Sequence, residues 1–199
     1  MKYAKQRGNT GGFTLIELVM VILILGILAV RAVPRYVGFA SDAKAAALQG
    51  ISGSLGTVVN LVQSKAMIMG LDSVQGPTTM TFDGISITVY NGGVPREIWF
   101  NGFEQLMTSS DFHYIGGNSS FLDTVCEEKS YCIIDNLQMS NVIAGRGGWG
   151  LFFFPNGHAL SEKDCFAYYT FELSGFGGSG NGGVGTLESM EVNSVTHGC

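Results

Sequence analysis

The sequence predicts an α+β protein: a long N-terminal helix, hydrophobic in its first half, packed through its second half on an antiparallel β-sheet. Three observations carry this prediction. An apolar run occupies residues 13–30, with Thr14 and Glu17 as its polar members. Apolar residues then recur at steps of three and four as far as Met69, the period of one helix face. Beyond that point, short stretches alternate apolar with polar residues, beginning at Met80 and Phe82.

Composition narrows the class. Hydrophobic residues make up 46% of the 199 and charged ones 14%, too apolar for a disordered chain. The 29 glycines are too many for a mostly helical one. The net charge of −5 argues against nucleic acid as the main partner, because phosphate binding needs clustered Lys and Arg. Lys2, Lys5 and Arg7 all precede the apolar run, and the first acid is Glu17.

The first element is a polar, basic leader, residues 1–12, ending in Gly11-Gly12. As a helix, residues 13–30 span about 27 Å, enough to cross a bilayer core. The basic flank keeps the N-terminus cytoplasmic and places the rest of the chain outside the inner membrane. An ordinary secretory signal has its small-residue cleavage site after the apolar run. Here Arg31 and Pro34 follow the run and the small pair precedes it, so cleavage after Gly12 removes the leader and keeps the helix. Glu17 then has two readings. It is solvated at headgroup level, or it pairs with the new amine of Phe13, on its own chain or a neighbour's. A buried pair of that kind fixes register more than it adds stability.

Residues 35–70 continue the helix, with Leu48, Ile51, Leu55, Val58, Val62, Ala66 and Met69 as its core face. Gly50, Gly53 and Gly56 weaken it and allow close packing. The helix ends near Gly70. Asp83-Gly84 between Phe82 and Ile85 is a hairpin signal. Residues 96–107 suit a short helix. Strands are expected at 149–154, followed by an Asn156-Gly157 turn, and at 165–173 and 186–195. Residues 175–185 hold seven glycines but no Gly-Lys-Ser/Thr, so they read as a surface loop and not a phosphate cradle.

Four cysteines in an exported domain suggest two disulfides. Three connectivities are open. Easy short-range closure favours Cys126–Cys132, leaving Cys165–Cys199 to tie down the tail. Zinc is disfavoured: there is no Cys-x-x-Cys, and His113, His158 and His197 are scattered. Asp164, Glu188 and Glu191 have no calcium-loop spacing. Glu127-Glu128 reads as a solvated pair, and Asp111 and His113 share a loop face without a nucleophile. No enzyme, cofactor or metal is expected.

Gly12-Phe13-Thr14-Leu15-Ile16-Glu17, the apolar run, Gly26 and Pro34 resemble the N-terminus of type IV pilins and pseudopilins. Pro34-Arg35-Tyr36, Ser41-Asp42-Ala43, Leu48-Gln49-Gly50, residues 60–66 and the aromatic strand 165–171 are similar to the mannose-sensitive haemagglutinin pilin subfamily. The resemblance implies a leader at 1–12, a transmembrane and assembly helix at 13–34, and a globular domain at 35–199. It implies that prepilin peptidase cuts between Gly12 and Phe13 and methylates the Phe13 amine. Glu17 then guides assembly, and Gly26 and Pro34 permit local unwinding in the filament. The implied partners are identical subunits, the peptidase and the inner-membrane assembly machinery. The implied role is a surface fibre for adhesion and biofilm formation, with a type II secretion pseudopilin or a minor pilin as alternatives.

Overall fold

The computed structural model describes residues 12–199 except Gln75, Lys163 and residues 175–184, with backbone alone at 34, 35 and 37. The chain divides into two compact units, Met1–Ser41 and Asp42–Cys199. One helix, α1 (Leu15–Ile68), runs through both.

In the first unit every described side chain from residue 12 to 33 is exposed. The helix there is apolar on all faces, a pattern that only lipid or other helices can cover. It is long and apolar enough to cross a membrane.

In the second unit α1 is amphipathic. Leu48, Leu55, Val59, Val62 and Ala66 are buried, and Val58 and Ile51 pack beside them. Met69 departs from the expected face and is 46% exposed. The reason is the helix end. Gly70, at φ 69°, closes the last turn. Its N–H donates to Met67 O at 3.0 Å, and Leu71 N–H donates to Ala66 O at 2.9 Å. This is a Schellman ending, which reverses the chain and gives the core place to Leu71. Gly50 and Gly53 also differ from expectation. A Cβ at either would meet nothing within 4 Å, and only Gly56 approaches a neighbour, Val192, at 3.8 Å.

Two sheets follow. The first contains β1 (Thr78–Phe82), β2 (Ile85–Tyr90) and β3 (Val94–Pro95), all antiparallel. Asp83 and Gly84, at φ 48° and 80°, form the β1–β2 turn, where both central residues need the left-handed region. A tight turn at Trp99–Phe103 and a single helical turn, α2 (Glu104–Leu106), lead to the second sheet. Its order is β4 (Phe112–Gly116), β5 (Tyr131–Gln138), β6 (Trp149–Pro155), β7 (Phe166–Leu173) and β8 (Leu187–Val195). All its pairings are antiparallel except β4–β5.

β4 and β5 lie where no strand was expected, and His113 stands in β4 instead of a loop. Asp135-Asn136 break the apolar run of β5. Asn136 has φ 48°, and the pairing slips between Ile134 and Leu137. A bulge thus hides a strand behind residues that usually mark a turn. The Asn156-Gly157 turn ends β6 but is not by itself the connection to its antiparallel neighbour β7, which begins only at Phe166. Asn156 N–H and Gly157 N–H donate to Ser130 O and Cys126 O.

β5, β6 and β7 are buried on both faces. Leu151, Phe153, Ala167, Tyr169 and Phe171 point into the core shared with α1 and the first sheet. Phe152, Phe154, Phe166 and Tyr168 point into a second core beneath the loops held by Cys126–Cys132. The other disulfide, Cys165–Cys199, joins the start of β7 to the C-terminus. Leu55→Ala, at a fully buried site, is expected to cost about 2–5 kcal/mol. Met69→Ala should stay within about 0.5 kcal/mol. Urea midpoints of the full chain in detergent micelles check both, and equal losses would contradict the observed helix end.

Candidate functional site

The start of α1 builds the candidate site. Thr14 precedes the first helical residue and Glu17 lies three further on. Thr14 N–H and Thr14 Oγ1 both donate to Glu17 Oε2, at 2.9 and 2.8 Å. Glu17 N–H donates back to Thr14 Oγ1 at 3.4 Å. This reciprocal pattern is a capping box: two backbone donors that lack helical partners are satisfied by the two side chains. It also sets a carboxylate at the positive end of the helix dipole. Thr14 had no assigned role, although Thr-x-x-Glu before an apolar run is itself a helix-start signal. In the single chain Glu17 is therefore engaged by Thr14. It holds its own helix together while remaining exposed.

Phe13 is 88% exposed and Gly12 is open beside it. The Gly12-Phe13 bond thus precedes the first helical turn, in exposed backbone outside regular structure. Gly11 and the basic residues of the leader lie outside the described residues. α1 continues through Gly26 and Pro34, and a Cβ at Gly26 would meet nothing within 4 Å.

The other candidates do not converge. Glu128 is not simply solvated, since its Oε2 lies 3.1 Å from His113 Nδ1. His197 Nε2 is 2.7 Å from Asp164 Oδ2. Lys44 Nζ is 3.1 Å from His158 Nε2, and His158 O accepts from Cys126 N–H. Each histidine thus sits against a segment bound by a disulfide. Glu191 pairs with Arg146 and accepts from Tyr168 OH. Glu188 is exposed. Asp164, Glu188 and Glu191 therefore do not form a common site, and among the described residues no three His, Cys, Asp or Glu are grouped to hold a metal ion. A groove of about 700 Å³ runs between the α1 residues Ala47, Ser54 and Leu61 and the Leu106 to Phe112 segment, and its lining holds no titratable side chain.

The geometry thus concentrates at the N-terminus: a capped helix start, an accessible Gly-Phe bond and an uncovered apolar helix. No curated protein and no solved structure matches the chain. The family model for the prokaryotic N-terminal methylation motif matches residues 5–30, and over that segment the chain is similar to type IV pilin-like proteins and pseudopilins.

Proposed function

We propose that this chain is a structural subunit of a type IV pilus, resembling the mannose-sensitive haemagglutinin pilins, and that it works by assembly and not by catalysis. The observation that carries the reading is the methylation motif at residues 5–30. It overlaps a helix that is exposed from residue 15 to 33 and apolar there apart from Glu17 and Arg31. Prepilin peptidase cuts between Gly12 and Phe13 and methylates the Phe13 amine. The subunit waits in the inner membrane with the segment at 13–34 as its anchor. The inner-membrane assembly machinery then moves it into a fibre of identical subunits. There the apolar helices cover one another, Glu17 guides docking, and Gly26 and Pro34 allow the helix to loosen. The globular part stays outside and forms the fibre surface used in attachment and biofilm growth.

Mass spectrometry of filaments sheared from cells tests this. The chain is expected as the main species, beginning at methylated Phe13. Recovery as a trace component beside a different major subunit would point to a minor pilin. Recovery only in the cell envelope, beginning at methylated Phe13, would point to a secretion pseudopilin. An intact Met1 in the membrane would overturn the reading.

A further inference from the structure

After β3 the chain crosses from the first sheet to the second. Residues 96–102 are pinned at both ends of this crossing. Toward β2, Asn101 Oδ1 accepts from Thr88 N–H at 2.8 Å, and Asn101 Nδ2 donates to Thr88 O at 2.9 Å. Toward β5, Trp99 N–H donates to Asp135 Oδ2 at 2.7 Å. Tyr114 OH on β4 donates to Asp135 Oδ1 at 3.1 Å. Tyr169 OH on β7 reaches back to Pro95 O at 2.7 Å.

Between these pins lies Glu97. It is 2% exposed, and its Oε2 has no hydrogen-bond partner among the described residues. A buried carboxylate in that state costs far more ionised than protonated. The surrounding groups do not reverse this. Arg96 attracts the charge from the same segment, but Asp135 on β5, itself 1% exposed, repels it. Among the described residues Tyr90 on β2 and Tyr169 on β7 also feel the Glu97 charge.

We propose that residues 96–102 are a proton-held strap between the two sheets, closed while the Glu97 carboxyl keeps its proton and released locally when that proton passes to water. Opening hydrates Glu97, and hydration favours the ionised form. Burial, foremost, pushes the Glu97 carboxyl from 4.5 up to about 7. Asp135 adds to the shift, and the backbone N–H of Glu97 and Arg96 pull against it. The closed state therefore binds the proton more tightly than the open one. Its contribution to closure is full below 4.5 and is lost as pH rises through about 7. The β6–β7 ladder and the second core contain no residue of the strap, so neither has to unfold, although opening withdraws Trp99 from its edge contact with Phe153 in the first core.

Amide hydrogen exchange of the full chain in detergent micelles tests the strap, with rates corrected for intrinsic pH dependence. All four cysteines are paired, so disulfide exchange has no free thiol to start it at alkaline pH. Between pH 5.5 and 8.5 the amides of residues 97–102 should lose about tenfold or more of their protection. Residues 151–154 and 167–171 should change little. Glu97→Gln should abolish the pH dependence at 97–102, and Glu97→Leu, which also has no proton to lose, serves if the glutamine variant does not fold. Asp135→Asn should move the wild-type midpoint to lower pH. An unchanged wild-type protection, a loss shared equally by β6 and β7, or a folded Glu97 variant with the wild-type profile would each overturn the proposal, and the wild-type profile decides the first two without any variant.

Discussion

A Glu17→Ala chain should still lose its leader but should yield about a hundredfold fewer filaments, or none. The expectation follows from two different energies on one carboxylate. In the single subunit, Glu17 accepts from Thr14 N–H and Thr14 Oγ1 as half of a capping box. Loss of such a cap costs about 1 kcal/mol, a factor of five or so in helix-end stability. In a packed bundle of apolar helices, the proposed partner is the Phe13 amine. Removing one member of a buried pair leaves the other charge uncompensated, at about 3–5 kcal/mol. Thr14→Ala separates the two, because it breaks the box and keeps the carboxylate. It should reduce filament yield only a few-fold, while Glu17→Ala abolishes it. Immunoblots of sheared fibres against total subunit measure yield, and the gel shift of the processed chain reports cleavage. Wild-type yields from Glu17→Ala would refute the charge-pairing role. Equal defects in both variants would show that the cap alone explains the effect.

Where sequence pattern is the product of burial alone, it was legible. The core face of α1 is an example, since Leu48, Leu55, Val62 and Ala66 are each at or near zero exposure. The period failed at Met69 because the chain had already turned, and a left-handed glycine, not hydrophobicity, decides which residue faces inward there. β5 was obscured for a related reason. Its bulge needs Asp135 and Asn136, residue types that otherwise announce a turn, and Asp135 is retained because it receives Trp99 N–H and Tyr114 OH. β4 is a short edge strand in parallel pairing, so the residue that precedes it, Asp111, gives no hairpin signal toward its partner. At the N-terminus the order of charge and hydrophobicity points to the same segment as the methylation motif, but it does not point to Thr14 as the partner of Glu17. Local capping is written in the same few residues as the methylation motif.

Among the second unit's cross-links, Cys165–Cys199 should matter more for global stability than Cys126–Cys132. The first closes a sequence separation of 34, the second only 6. In the chain-entropy account the longer closure is worth about 4 kcal/mol and the shorter about 2 kcal/mol. The native contacts of the tail do not replace it. His197 and Asp164 are 2.7 Å apart but largely exposed, so their attraction is weak in water. Gly198 N–H to Asp164 O, at 2.9 Å, is a single backbone bond. The double variant Cys165→Ala/Cys199→Ala should therefore lower the melting temperature of the full chain in micelles by about 10 °C, and Cys126→Ala/Cys132→Ala by about half as much. Burial works against this order, because Cys126 and Cys132 are both fully buried and their truncation also removes packing from the second core. A larger shift for that pair would mean that core packing outweighs chain entropy. The expected order instead requires that the long bridge act chiefly on the unfolded chain, by keeping β8 near the β7 edge it must find, where Val192 then covers Gly56 of α1.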